Sequence, residues 1–303
     1  MQVSNFTKGA LLAATGGIGW GISGVCSQFL FSEYSINPSW LTSVRMILSG
    51  IILLLIASTK EKEKIFKIFL DKIDRRWLLA FAVLGLLLCQ YSFLAAINFS
   101  NSGTATVLQS LNVVMMALIM AIWNRSKMEG RQITAILLAI LGTYLIATNG
   151  NASEMVLSMP GLIWGLLSAI GVITYTLLSR GIIQKWGNIL VTGWGMLLGG
   201  IILGITVQVW NLPSNLDLFS IVIIMVIVVI GTAGGFSLFL QGVKFIGPVK
   251  ATLIGCIEPA TATILSSFFL GTRFGFIESL GFFAIIITVF LSIKNENSNV
   301  LTK

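Results

Sequence analysis

Residues 251–271 read Ala-Thr-Leu-Ile-Gly-Cys-Ile-Glu-Pro-Ala-Thr-Ala-Thr-Ile-Leu-Ser-Ser-Phe-Phe-Leu-Gly, an apolar run with Glu258 near its middle and Pro259 directly after it. A hydrocarbon core of about 30 Å takes about 20 helical residues, so the length suits a membrane span. The two interruptions do not follow from spanning. A charged side chain costs about 2.5–3.5 kcal/mol at the centre of a span. Proline removes one backbone hydrogen bond and displaces the carbonyl four residues earlier, here that of Gly255.

Composition sets the class. The chain has 303 residues, 56% hydrophobic and 10% charged, where a soluble domain carries about 25% charge. This is a polytopic membrane protein. Its net charge of +8 needs no nucleic acid to explain it and belongs at the cytoplasmic rim. The absence of histidine removes a His-based triad, a His-liganded metal and a histidine pH switch. Cys26, Cys89 and Cys256 lie in apolar runs and read as small reduced core residues. No cofactor or metal is implied. The first run starts at Gly9 and reads as a retained span rather than a signal peptide.

Ten runs of spanning length lie at 9–31, 38–58, 77–98, 104–123, 132–149, 160–179, 188–210, 218–243, 249–270 and 275–293. With both termini inside, cytoplasmic segments hold 17 of the 19 basic residues, as the positive-inside rule requires. Only Arg273 falls in an outer loop, and Arg45 lies within a span. Trp40, Trp77, Trp123, Trp186 and Trp210 fall at span ends, where aromatic belts belong, while Trp20, Trp164 and Trp194 sit deeper. The loop at 150–159 divides the spans five and five. An odd number per half inverts the second half, which predicts two inverted repeats, 1–150 and 151–303, with binding near the midplane between them. A shift of 146 residues pairs Asn112 with Glu258, and one of 152 pairs Gly19 with Gly171. Identities at these shifts are few; the order of hydropathy carries the repeat.

These residues resemble the EamA-type permeases of the drug/metabolite transporter superfamily. The resemblance rests on Gly19-Trp20-Gly21, Arg45-Met46, the stretch Gly103 to Leu108, and Gly142 in the first half. In the second half it rests on Ser168-Ala169, Tyr175 to Arg180, Gly247 to Ala251, Glu258-Pro259-Ala260 and Gly281. It implies an all-α integral membrane protein of ten helices in two inverted five-helix repeats, and a permease for an organic solute. Val113 stands where such proteins often carry a proline matching Pro259, so the kink is expected in span nine alone.

Glu258 lies about 13 Å into span nine at about 1.5 Å per residue, deep enough to bind an amine or a proton, or else to serve helix packing. Asn112 is its repeat counterpart, and Gln109 lies about one turn earlier on that face. Lipid-facing amides are costly, so Gln90, Gln109, Asn112 and Gln241 are expected to point inward, to a cavity or a helix seam. Tyr91, Tyr175, Trp20 and Trp164 are the deep aromatics; they line a cavity for a cationic or aromatic solute or pack against neighbours. Arg45 is expected to snorkel to the outer interface, or else to support the fold or attract an anion. The small-residue pairs Gly17/Gly21, Gly161/Gly165, Gly195/Gly199, Gly200/Gly204 and Gly231/Gly235 permit close helix approach, within the chain or between copies.

The expected activity is secondary transport of a small organic metabolite such as an amino acid or amine, by alternating access across the plasma membrane. Export is the direction the resemblance favours. The expected partners are that small-molecule substrate, a coupling proton at Glu258 and the lipid bilayer. Efflux of lipophilic cations and import of a metabolite are the alternatives. A membrane enzyme lacks a Gly-x-Ser-x-Gly elbow and a metal-ligand cluster, and a channel lacks a filter loop.

Overall fold

The computed structural model describes residues 5–61, 65–123, 130–151, 155–246, 251, 254–255 and 257–293, and among them there is no strand. The helices are α1 (Asn5–Tyr34), α2 (Pro38–Glu61), α3 (Lys72–Phe99), α4 (Ser102–Ser110), α5 (Asn112–Trp123), α6 (Gly130–Thr148) and α7 (Met159–Trp186). There follow α8 (Asn188–Val207), α9 (218–246), α10 (Ile257–Leu270) and α11 (Phe276–Ile293). Among the described residues, six helices are long and apolar enough to span alone: α1, α2, α3, α7, α8 and α9. Shorter apolar segments, Ile133–Thr148, Ile257–Leu270 and Phe276–Thr288, lie in α6, α10 and α11. Cys256, Gly247 to Lys250 and residues 124–129 lie outside the described residues.

The pairing of helices shows the repeat. The most extensive contacts are α1 with α9, α2 with α8, α3 with α7 and α6 with α11, with α4 also packed on α10. Exchanging the two halves turns the α1–α9 pair into α7–α3 and returns each of the others to itself. Single residues obey the same exchange. A Cβ on Gly231 would meet Ser23 Cβ at 2.2 Å, and one on Gly85 would meet Tyr175 Cα at 2.8 Å. A shift of 146 carries Gly85 onto Gly231, and a shift of 152 carries Ser23 onto Tyr175. Both glycines lie in π-helical stretches, Phe81–Leu87 in α3 and Ile227–Gly234 in α9. The same shift of 146 lays the first of these on 227–233. Thr232 Oγ1 donates to Ile227 O at 3.0 Å, occupying a carbonyl that the wider turn loosens.

The small-residue pairs serve this packing within the chain. Gly17 and Gly21 of α1 press on the second half around Pro259: a Cβ at Gly17 would lie 3.0 Å from Gly255 O, and one at Gly21 would lie 3.0 Å from Glu258 O. Only glycine lets the helices come this close, and dispersion between close backbones is what holds spans together in lipid.

Span four departs from expectation. Its helix is interrupted at Leu111, between α4 and α5, although no proline is present. Asn112 Nδ2 donates to Gln109 O at 2.6 Å, a side-chain bond that competes with the helical ladder. Gln109 is the counterpart of Gly255 at the shift of 146. Both halves thus disturb the same carbonyl, one through asparagine and the other through proline. The expectation of a kink in span nine alone is corrected accordingly.

Each end of the bundle has its own ties. At the end where α1 begins, Asp71 caps α3 by accepting from Ile73 N at 2.8 Å and Asp74 N at 3.2 Å. Lys185 of α7 pairs with Asp71 and Asp74, and Trp186 Nε1 donates to Asp74 Oδ2 at 2.7 Å. The two backbone donors, with Lys185 added, hold the Asp71 carboxyl below its ordinary range, and the two carboxylates raise Lys185 above its own. Trp194 lies here rather than deep: its Nε1 donates to Ile65 O at 2.9 Å, with the Phe66 and Phe69 rings edge-on to it. At the opposite end, Gln28 Oε1 accepts from Ser102 N and Oγ, each at 2.8 Å, while its Nε2 donates to Thr272 Oγ1 at 3.0 Å. Trp40 is buried here, donating to Val209 O at 2.9 Å, so it is an internal tie rather than a lipid-facing belt residue.

Candidate functional site

A polar group lies where the two halves meet, with Arg45 and Cys89 buried and Gln109, Tyr175 and Glu258 partly buried. Cys89 of α3 and Glu258 of α10 each lie within electrostatic reach of Arg45 of α2 and of Tyr175 of α7. Gln109 at the end of α4 joins them, its Nε2 donating to Cys89 Sγ at 3.7 Å. Close packing brings the backbones in: a Cβ on Gly171 would meet Cys89 Cα at 2.5 Å, and Gly85 lies under Tyr175. Cys26 and Cys89 are free thiols. Gln90 is buried beside Cys89.

Arg45 is where the sequence reading went wrong. Rather than snorkelling to an interface it is 4% exposed, and its Nε is sealed with no hydrogen-bond partner. The i, i+4 neighbour explains the orientation: Ser49, on the same face, donates to Val228 O of α9 at 3.2 Å. That face of α2 therefore looks into the bundle, and Arg45 looks in with it. Depth in one span says nothing about azimuth, and Arg45 was placed by depth alone.

The remaining candidates fall into three sets. Asn112 turns its Nδ2 to the Gln109 carbonyl. Tyr91 and Trp164 form an edge-to-face pair at 5.2 Å, and Trp20 meets Phe236 at 5.2 Å and Phe239 at 5.0 Å. Trp20 Nε1 is buried without a partner over Gly235. Gln241 does not point inward: it is exposed. Gly242 packs on Gly9 and Ala13 of α1, and the preceding residue is turned about 100° away. Gln241 is five residues from the end of α9, about 7 Å at 1.5 Å per residue, which brings the amide near the membrane surface. Gln28 was not anticipated; it links α1 with α4 and the segment after α10.

A recess of about 560 Å³ lies elsewhere, lined by Leu111, Val114, Met115, Ala139, Thr143 and Leu162 among others. It holds none of the charged groups, and a nearly all-apolar wall gives no means of orienting a polar solute. No group of His, Cys, Asp and Glu among the described residues is arranged to hold a metal.

Comparison with known proteins agrees with this architecture. The model of the EamA-like transporter family matches the chain twice, over residues 7–148 and 159–294. The chain is 35% identical, over 94% of its length and 94% of the other's, to a Salmonella typhimurium protein named as the uncharacterized inner membrane transporter YicL. It is 24% identical, over 96% of its length and 94% of the other's, to an uncharacterized transporter of Clostridium kluyveri. A crystal structure 14% identical in sequence superposes with a TM-score of 0.64, covering 97% of this chain and 99% of that one; it speaks to the fold alone.

Proposed function

The chain belongs to the EamA-like transporter family, and from that premise we propose that it is a secondary active transporter moving a small organic metabolite across the plasma membrane by alternating access. It is no enzyme. What supports the reading is that Arg45, Gln109, Tyr175 and Glu258, drawn from both halves, gather where those halves meet. Intramembrane charges of this kind mark solute pathways, and inverted repeats bind at their interface. Both termini are cytoplasmic, following the distribution of basic residues. The direction is export, as the family resemblance favours, with a proton as the candidate coupling ion at Glu258. Efflux of lipophilic cations is the alternative; Trp20 with Phe236 and Phe239 would supply its aromatic wall.

The test is transport by purified protein in proteoliposomes, using a metabolite panel with and without an imposed pH gradient. A transported solute whose flux follows the gradient in the wild type and ignores it in Glu258→Gln is the expected result. Flux indifferent to both the gradient and the substitution ends the proton-coupling reading. No flux of any solute ends the carrier reading.

A further inference from the structure

Residues 66–77 read Phe-Lys-Ile-Phe-Leu-Asp-Lys-Ile-Asp-Arg-Arg-Trp, and folding sorts their charges by side. The two acids are taken up by α7: Asp71 and Asp74 pair with Lys185, and Asp74 also accepts from Trp186. What faces outward is apolar and positive. Phe66, Leu70, Ile73 and Trp77 are 46% to 81% exposed, and Lys67, Lys72, Arg75 and Arg76 are exposed beside them. Lys72, Arg75 and Arg76 make no ion pair among the described residues. Their placement opposes local electrostatics: at i, i+3 and i+4 on one helix these like charges are neighbours, and cations in a first turn oppose the helix dipole. The other half builds the same corner without them. The shift of 146 lays 66–77 on 212–223, where Leu212 and Phe219 remain exposed while Pro213, Leu218, Ile221 and Val222 replace the four cations.

Position along α3 indicates what covers this surface. Leu84 is 57% exposed on the span itself, eleven residues or about three turns beyond Ile73 and so on the same side. The apolar stripe therefore runs from the lipid-facing side of the span, through Trp77 at its end, to Ile73. Lys72 to Arg76 lie within about 8 Å of Trp77 along the axis at about 1.5 Å per residue, and the headgroup layer is about 5–7 Å thick on each side of the hydrocarbon core. We propose that this corner docks anionic phospholipid of the leaflet it faces, with the phosphate among Lys72, Arg75 and Arg76 and the acyl chains along Ile73, Trp77 and Leu84. A guanidinium fork suits phosphate oxygens, and an anion shared by the three cations relieves their mutual repulsion. Lys67 adds to the positive field, while Phe66 and Leu70 supply apolar contact at the surface. The ties to Lys185 and Trp186 hold the two carboxylates away from the phosphate.

The experiment titrates the full-length protein in neutral detergent with phosphatidylglycerol and with phosphatidylcholine, reading retained lipid by native mass spectrometry and local protection by hydrogen exchange. The wild type should prefer phosphatidylglycerol, which should slow exchange over 66–77 and leave 212–223 unchanged. Each cation removed should weaken binding about fivefold, so Lys72→Gln/Arg75→Gln/Arg76→Gln should lose about a hundredfold, while Arg273→Gln, exposed at the other end of the bundle, should lose nothing. Raising salt from about 0.1 to about 1 M shortens the screening length from about 10 to about 3 Å and should remove most of the preference. No preference between the two lipids in the wild type overturns the proposal. So does a triple variant that retains phosphatidylglycerol as the wild type does, or protection that appears only away from 66–77. Displacement of the lipid by an equal concentration of soluble glycerol phosphate assigns the cations to a soluble anion and equally overturns it. The headgroup and salt series use the wild type alone, so they decide even if the triple variant does not insert.

Discussion

Substituting Gly231 by alanine tests the central seam of this fold directly. A Cβ at that position would stand 2.2 Å from Ser23 Cβ and 2.5 Å from Ser23 Oγ, where nonbonded carbon atoms settle at about 3.5–4.0 Å. One of the two helices must retreat by more than about 1 Å, and forcing a packed seam apart in this way typically costs about 1–3 kcal/mol. Removing the obstruction with Ser23→Gly leaves Gly19 O, at 3.3 Å, as the nearest atom, a contact that relaxes by a few tenths of an ångström. Glycine in a helix carries its own penalty of about 1 kcal/mol, which a double-mutant cycle cancels. The Ser23→Gly/Gly231→Ala protein should therefore regain most of what Gly231→Ala loses, with a coupling of about 1–3 kcal/mol. The counterpart position behaves differently. A Cβ on Gly85 would lie 2.8 Å from the Cα of Tyr175 as well as from its Cβ, so Tyr175→Gly leaves a backbone obstruction and should not rescue Gly85→Ala. Thermal unfolding in mild detergent of the variants in both cycles reads the answer. If Gly231→Ala is as stable as the wild type, or its cycle is additive, α1 and α9 do not meet as described.

Three further outcomes are expected. Asn101 caps α4 by accepting from Thr104 N at 2.8 Å, so Asn101→Ala should cost about 1 kcal/mol in the unfolding equilibrium while Asn101→Asp costs little. Trp194→Phe removes the bond to Ile65 O but keeps an aromatic ring against Phe69. Hydrogen exchange should quicken around 65–70, with a much smaller change in global stability. Asp71, lowered chiefly by the backbone N–H groups of Asp74 and Ile73, contributes stability above its ordinary carboxyl value and loses it as pH falls through the lowered one. Lys185, raised by Asp74 and Asp71, contributes below its ordinary value and loses it as pH rises through the raised one. Exchange protection at the amides of Ile73 and Asp74 should therefore be flat through neutrality and fail at both extremes. Asp71→Asn should remove the acid-side step that Asp71 contributes.

What the sequence made legible was whatever a one-dimensional pattern encodes. Apolar runs located the spans, and the spacing of glycines located the seams, because helix-to-helix contact in lipid is written in small residues on one face. Azimuth was not legible. Arg45 and Gln241 were both assigned from depth and polarity, and both turned the other way, because the neighbours that fix their rotation, Val228 for α2 and Ala13 for α9, lie far off in sequence. The break at Leu111 was missed because asparagine was read as a polar lining residue. Its amide also competes for backbone, and proline is only the more conspicuous way to disturb the same carbonyl. The π-helical stretches carry no compositional mark beyond their glycines.

These misses alter how the moving parts are understood. Pro259 was expected to kink one half alone, at span nine. The disturbed carbonyl recurs at Gln109, and the π-helical stretch of α3 recurs in α9 at the same repeat shift. The first half thus carries irregular backbone in its third and fourth spans, and the second half carries it in its third, with Pro259 in its fourth. Those spans pack on α7 and α1 and on each other, and they bring Cys89, Gln109 and Glu258 to the polar group between the halves. Irregular helical turns occur where side chains must be re-aimed or helices must bend. Under the carrier proposal, bending at equivalent places in two inverted halves is what would present one midplane site first to one side and then to the other.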